Sequence, residues 1–343
     1  MSPTASVLAT LGLTVVAATA LTAVVRNYAL GIGMLDHPNA RSSHVMPTPR
    51  GGGIAIVAVT LLVTVLGVVL APGSPWVVIA WILGGGLVAT AGFLDDLRGL
   101  PAITRLGLHV VAAILLLIAA GGMPLLPTSA GPIDLGPLGW IVGGIAIVWS
   151  INLFNFMDGI DGLAAAQCVF VVGAGVLLAG LGEGASTTQL TLLALAGAAT
   201  GFLVWNFPPA KIFMGDVGSG FIGFALAAGA FLTSTRASPI NLWTWVVLNG
   251  LFFADATTTL LTRLLRGQRV YEAHRLHAYQ RWSRRWGSHR AVTILYSAIN
   301  LVWCLPWAVA TVKSPAMGPL ITAAALVPLF AVAIAAGAGR QDV

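Results

Sequence analysis

Residues 138–181 read LGWIVGGIAIVWSINLFNFMDGIDGLAAAQCVFVVGAGVLLAGL: two apolar runs, 138–154 and 161–181, meeting at a polar junction. Each run has about the 17–25 residues that carry an α-helix across a hydrocarbon core. The junction places Asn152, Asn155, Asp158 and Asp161 three residues apart. On a helix of 3.6 residues per turn such a series drifts by about 60° per step, so its first and last members face opposite ways. Gly159 and Gly162 supply a break that lets both ends of the stretch turn toward one cavity.

The pattern repeats outward. Of 343 residues 57% are hydrophobic and 8% charged, with mean hydropathy +0.92, whereas soluble domains carry about 25% charge. Further apolar runs cover 6–25, 52–71, 76–94, 103–120, 188–205, 217–235, 241–262, 291–311 and 316–337. None alternates with the period of two that a strand barrel requires. The expectation is an all-α, polytopic transmembrane bundle of eleven spans, one integral membrane domain over 1–343, with the first span retained as a helix. Cys168 and Cys304 fall inside spans, match no metal spacing and read as small apolar fillers.

Fifteen of the seventeen Lys and Arg lie in one set of loops and span ends, leaving only Arg236 and Lys313 opposite. Basic residues favour the cytoplasmic side, which puts the N-terminus outside and the C-terminus inside. Eight of the eleven acids, Asp36, Asp95, Asp96, Asp158, Asp161, Asp216, Asp255 and Glu272, sit on that same side near span ends. Ionisable groups at a membrane mark function by default. The net charge of +6 comes largely from the inner rim, which suits anionic membrane lipids and phosphate-bearing substrates and does not point to nucleic acid.

Several segments carry chemistry. Asp95-Asp96 ends a span, where adjacent carboxylates repel unless a cation offsets them; a metal site, a phosphate site and a base are all open readings. Phe213-Met-Gly215-Asp216-Val-Gly-Ser219-Gly220 is glycine-rich and opens a span, so backbone N–H groups and the helix dipole would favour phosphate. Asp216 there suits Mg²⁺, a hard cation that takes one or two carboxylates beside phosphate oxygens. Arg41 to Gly53, with His44 and Arg50, reads either as a second anion loop or as a basic turn. Residues 263–290 hold eight arginines, and Tyr279, Trp282 and Trp286 suggest an interfacial helix with aromatics toward lipid. Within it His274, Arg275 and His277 are candidates for a diphosphate or a sugar. Asp255 either lines the site or pairs with Arg263. His37, His109 and His289 read as structural.

In order, Asp36 to His44, Pro47 to Gly53, Asp95-Asp96, Asn152 to Gly162, Phe213 to Gly220 and the loop 274–281 resemble the polyprenyl-phosphate N-acetylaminosugar-1-phosphate transferases of glycosyltransferase family 4, which include phospho-N-acetylmuramoyl-pentapeptide transferase. Where relatives carry three histidines or His-x-His-His, this loop has His274-Arg-Leu-His277. That resembles the branch initiating O-antigen or other surface glycans with N-acetylated 6-deoxy sugars. The resemblance implies transfer of a sugar 1-phosphate from a UDP-N-acetylated aminosugar to undecaprenyl phosphate, releasing UMP at the cytoplasmic face of the inner membrane, where O-antigen or other cell-envelope glycan synthesis begins. It implies Mg²⁺, with Mn²⁺ as second choice, on Asp216 and Asn155. Asp95 and Asp96 would handle the lipid phosphate, one of them as base, while Asn152, Asn155, Asp158 and Asp161 position the donor. Gly215 and Ser219 would join His274, Arg275 and His277 in binding substrate, with His44 and Arg50 at the entrance. A homodimer is compatible with the sequence.

Two other classes gather carboxylates. An ion-coupled transporter would place them near the midplane on internally repeated, broken helices, and no repeat is visible. An intramembrane aspartyl protease would need two aspartates within spans.

Overall fold

The computed structural model describes residues 3–38, 46–70, 75–180, 186–235, 238–270, 272 and 274–341, with backbone alone for 3–5, 69 and 70. His44 and Arg41 lie outside the described residues. The helices are α1 (Pro3–Ile32), α2 (Gly53–Leu70), α3 (Pro75–Arg98, with a π turn at Ala80–Gly84), α4 (Ala102–Ala120), α5 (Gly136–Met157), α6 (Leu163–Ala179), α7 (Thr187–Asn206), α8 (Asp216–Thr233), α9 (Leu242–Leu248), α10 (Gly250–Leu265), α11 (Ala278–Trp286), α12 (His289–Lys313, with a π turn at Asn300–Cys304) and α13 (Gly318–Ala335). One two-stranded ribbon, β1 (Leu35–Asp36) against β2 (Thr48–Pro49), joins α1 to α2.

Each predicted run coincides with a helix, except that 241–262 is divided between α9 and α10, and the all-α membrane bundle holds. Among the described residues eight helices are long and apolar enough to cross a membrane, and α9 with α10 makes a ninth, bent by 75°. Two more of the expected runs lie on shorter apolar helices, α2 and α6. Their starts are set back by the turns at Gly51-Gly52 and Gly159–Gly162, which belong to the polar end of the bundle.

The helices differ in depth. In α8 83% of the spanning window is buried against 17% in α1, so α8 is the centre and α1 a lipid-facing flank. Apolar side chains satisfy protein and lipid neighbours alike, so the pattern is nearly uniform around α5, α6, α7 and α13. Small residues set the close approaches. A Cβ on Gly218 would lie 2.6 Å from the Cα of Gly53, and one on Gly92 or Gly223 would strike the backbone of Asp216 or Ser150. Thus α2, α3 and α5 all close on α8.

Candidate active site

The site assembles around the first turn of α8. Gly215 adopts φ +78°, a left-handed conformation, and a Cβ there would come within 2.6 Å of Asp96 Oδ2. The Asp96 carboxylate, at the end of α3 and 5% exposed, accepts the N–H groups of Asp216 and Val217 at 3.1 Å each. Two of the four N–H groups that a helix start leaves without partners are satisfied, and the negative charge meets the positive end of the dipole. The expected phosphate cradle at α8 is therefore corrected: the protein's own carboxylate fills it.

The glycine loop before α2 is corrected likewise. Gly52 and Gly53 donate their N–H groups to the carbonyls of Phe213 and Met214 at 2.9 Å, and Phe213 donates to Pro49 at 2.8 Å. The loop splints the α8 entry. Arg50 donates to the carbonyl oxygen of Asp96, clamping the end of α3.

Asp95 turns the other way. It is ion-paired with Arg105, in the first turn of α4, and accepts the N–H of Leu100. Arg105 also lies 3.5 Å from Asp216 Oδ2. From α5, the Asn155 amide donates to Asp216 Oδ1 at 2.8 Å and to Ser219 Oγ at 3.3 Å. Asp158, just past the end of α5, is half-buried. Burial first, then the charges of Asp216, Asp96 and Asp161, push its carboxyl well above the usual range. The centre is rich in carboxylate oxygen and holds Arg105 as a guanidinium shared by two acids.

Not every candidate converges. Asn152 bonds back to Val148 within α5 at 2.8 Å and lines a groove beside the centre. Asp161 accepts the Ala210 N–H at 2.9 Å and lies 3.1 Å from His289 Nδ1. It braces the α6 entry, a structural part that also explains His289.

The loop before α11 hangs on Asp255, which is 2% exposed. Its carboxylate accepts the N–H groups of Ala278 and Tyr279 at 2.9 and 3.0 Å and the Tyr296 hydroxyl at 2.8 Å. Arg263 is not its partner: that guanidinium collects the carbonyls of Arg269 and Val270. Tyr279 does not face lipid either. It is fully buried, and its hydroxyl donates to the Phe156 carbonyl at 2.9 Å, pinning the end of α5. His277 is buried with Nδ1 3.4 Å from Asp255 Oδ1, and its ring lies 5.0 Å from that of His274 and 6.2 Å from that of Phe156. His274 is pushed down to about 3, by burial first and then by His277 and Arg263. Arg275 is exposed.

Arg105 was not singled out by the sequence, because an arginine at a span end reads as part of the basic rim. It closes the polar end of an apolar groove of about 710 Å³ between α4 and α5, walled by Leu106, Val110, Ile114, Ile145 and Trp149.

Fold and site together define a multi-pass membrane protein whose carboxylate–arginine centre sits at the end of an apolar groove. Residues 78–234 match the sequence model of glycosyl transferase family 4. The decaprenyl-phosphate N-acetylglucosaminephosphotransferase of Mycolicibacterium smegmatis is 34% identical over 317 residues, covering 81% of this chain and 76% of that protein. The probable undecaprenyl-phosphate N-acetylglucosaminyl 1-phosphate transferase of Bacillus subtilis is 28% identical, covering 83% and 79%. The phospho-N-acetylmuramoyl-pentapeptide-transferase of Moorella thermoacetica is 34% identical, covering 67% and 74%. The chain belongs to glycosyl transferase family 4, and it is a phosphoglycosyltransferase.

Proposed function

We propose that the chain transfers an N-acetylated aminosugar 1-phosphate from its UDP-sugar to a polyprenyl phosphate, undecaprenyl phosphate in the first instance, at the cytoplasmic face of the inner membrane. The observation that carries this reading is Arg105, which joins the carboxylate centre to an apolar groove suited to an isoprenoid chain. A phosphate oxygen of the lipid attacks the sugar-linked phosphorus. That P–O bond forms as the bond from the same phosphorus to the bridging oxygen breaks, and UMP leaves.

Phosphoryl transfer is mostly positioning and charge neutralisation. Arg105 steers the lipid phosphate. Asp95 and Asp216 hold Arg105 in place, and Asn155 fixes Asp216 through the bond to Oδ1. Asp96 keeps α8 in register by capping it, so Asp95 is the better placed of the two to meet the attacking phosphate. His277 and Tyr279 hold the His274–His277 loop against Phe156 at the end of α5. The donor set fits Mg²⁺: hard carboxylate and amide oxygens, with Asp158 raised by burial first and then by neighbouring negative charge. Among the described residues no three His, Cys, Asp or Glu enclose an ion by themselves, as suits a cation that keeps waters and substrate phosphates. Asp216 and Asn155 would hold it, and it would neutralise charge on the diphosphate.

The names of the relatives put UDP-N-acetylglucosamine first in a donor panel; the departure at His274–His277 adds the N-acetylated 6-deoxy sugars, and with them surface-glycan initiation. UMP release by the purified chain, with undecaprenyl phosphate, Mg²⁺ and this panel, tests the proposal. Expected is release that needs lipid and metal and is lost in Asp216→Asn. Wild-type turnover by that variant would overturn the metal assignment, and solute accumulation in vesicles without UMP release would favour a transporter.

A further inference from the structure

Between α9 and α10 the chain bends by 75° at Asn249. A break of this kind takes backbone carbonyls away from their helical N–H partners, and inside a bilayer no water replaces them. Here side-chain amides do. Asn249 donates to the Trp245 carbonyl at 3.0 Å, and Gln167, reaching over from α6, donates to the Leu248 carbonyl at 3.2 Å. Gln167 is itself held, because the Asn300 amide on α12 donates to its Oε1. Both side chains are buried, and Asn300 opens the π turn of α12, a local departure that recurs at functional positions. We propose that Gln167, oriented by Asn300, is a positioning residue for the transfer reaction: it sets the bend of α10 and so the groove wall that receives the polyprenyl chain. The inference rests on the reading of that groove as the acceptor site.

The Leu248 carbonyl has two ways to be satisfied. In a straight helix it would accept the N–H of Phe252, four residues on; in the bent one it accepts Gln167. Leaving it unpaired in an apolar surrounding is costly, so the buried amide weights the equilibrium toward the bend. The pivot is close-packed as well: a Cβ on Gly250 would lie 2.8 Å from Leu326 Cδ2 on α13. Beyond the pivot, α10 acts as a lever. Leu260, more than two turns along it, stands in the wall of the groove closed by Arg105, and a change of bend carries that wall with it. Gln167 touches neither the groove nor the carboxylate centre, and it reaches the reaction only through α10.

Two measurements on the full chain test this. The first reads the bend without substrate: spin labels at Leu265, at the end of α10, and Val204, on α7, both exposed, in a background with Cys168 and Cys304 replaced by Ala. Double electron–electron resonance should give a shifted or broadened distance distribution in Gln167→Leu. The second is steady-state kinetics. KM for polyprenyl phosphate should rise about threefold to tenfold, the weight of one neutral hydrogen bond, while kcat at saturating lipid holds, since bound lipid draws α10 back. Gln167→Leu/Asn300→Leu removes the amide pair together and strands neither, so it serves if the single variant unfolds, and the same changes are expected of it. Thr64→Val, which breaks the Thr64–Thr191 hydroxyl pair between α2 and α7, should leave both readouts at wild type. An unchanged distance distribution would overturn the proposal, as would an equal rise of KM in Thr64→Val or the unfolding of both amide variants, which would make the pair a structural part alone. An altered distribution with an unmoved KM would overturn the part given to Gln167 in the reaction and place the failure in the assignment of the groove.

Discussion

Replacing Asp96 by Asn separates two parts that an aspartate beside Asp95 can play. If Asp96 caps α8, its loss is a loss of stability; if it is a base, stability is untouched and only turnover suffers. The carboxylate accepts two backbone N–H groups, whereas Asn presents one acceptor oxygen and turns its NH₂ group toward the other N–H. One bond to a charged acceptor disappears and the second becomes neutral. With charged bonds contributing about 1.5–3 kcal/mol and neutral ones about 0.5–1.5 kcal/mol, the expected cost is about 2–4 kcal/mol. Heating in detergent, followed by loss of tertiary signal, should show unfolding several degrees below wild type. Asp95→Asn should shift far less, because Asp95 rests on a half-exposed arginine. An Asp96→Asn protein as stable as wild type but without UMP release would refute the capping argument.

Arg105→Gln should raise KM for polyprenyl phosphate about tenfold or more, equivalent to ~1.4 kcal/mol, with a smaller effect on KM for the nucleotide sugar; steady-state kinetics with each substrate varied checks this. Gly53→Ala places a methyl group against the Gly218 backbone, so overpacking should cost about 1–3 kcal/mol, measurable as a lower unfolding temperature. His274 is depressed from 6.5 to about 3 in the folded chain, so the unfolded chain binds its proton first as pH falls. Its contribution to stability is whole above 6.5 and is lost as pH drops toward 3; His274→Gln should flatten the stability–pH profile in that window.

The membrane class and nearly every helix were legible because apolar length alone specifies a span. The convergence of Asn155 and Asp216 was legible too, since polar groups stranded at span ends have few places to go. What the sequence hid was the use of each group. The glycines at Gly52 and Gly53 looked like anion donors, yet their N–H groups are spent on a segment some 160 residues away. Asp96 looked like a twin of Asp95, but the two side chains diverge, one to a helix start and one to Arg105. Tyr279 sits in an arginine-rich stretch that reads as a surface, and only Asp255 and Phe156, both remote in sequence, show that it is core.

The cap on α8 also sets a timetable for synthesis. Asp96 and its N–H partners are 120 and 121 residues apart, so at about 5–20 residues per second the ribosome needs roughly 6–24 s to deliver the helix that Asp96 will hold. Until then α2, α3 and α5 enter the bilayer with their glycine faces open and Asp96 hydrated at the polar boundary. Insertion of α8 is the step that closes all three at once, and a nascent chain arrested before residue 216 should present this half-built bundle to the quality-control proteases of the membrane.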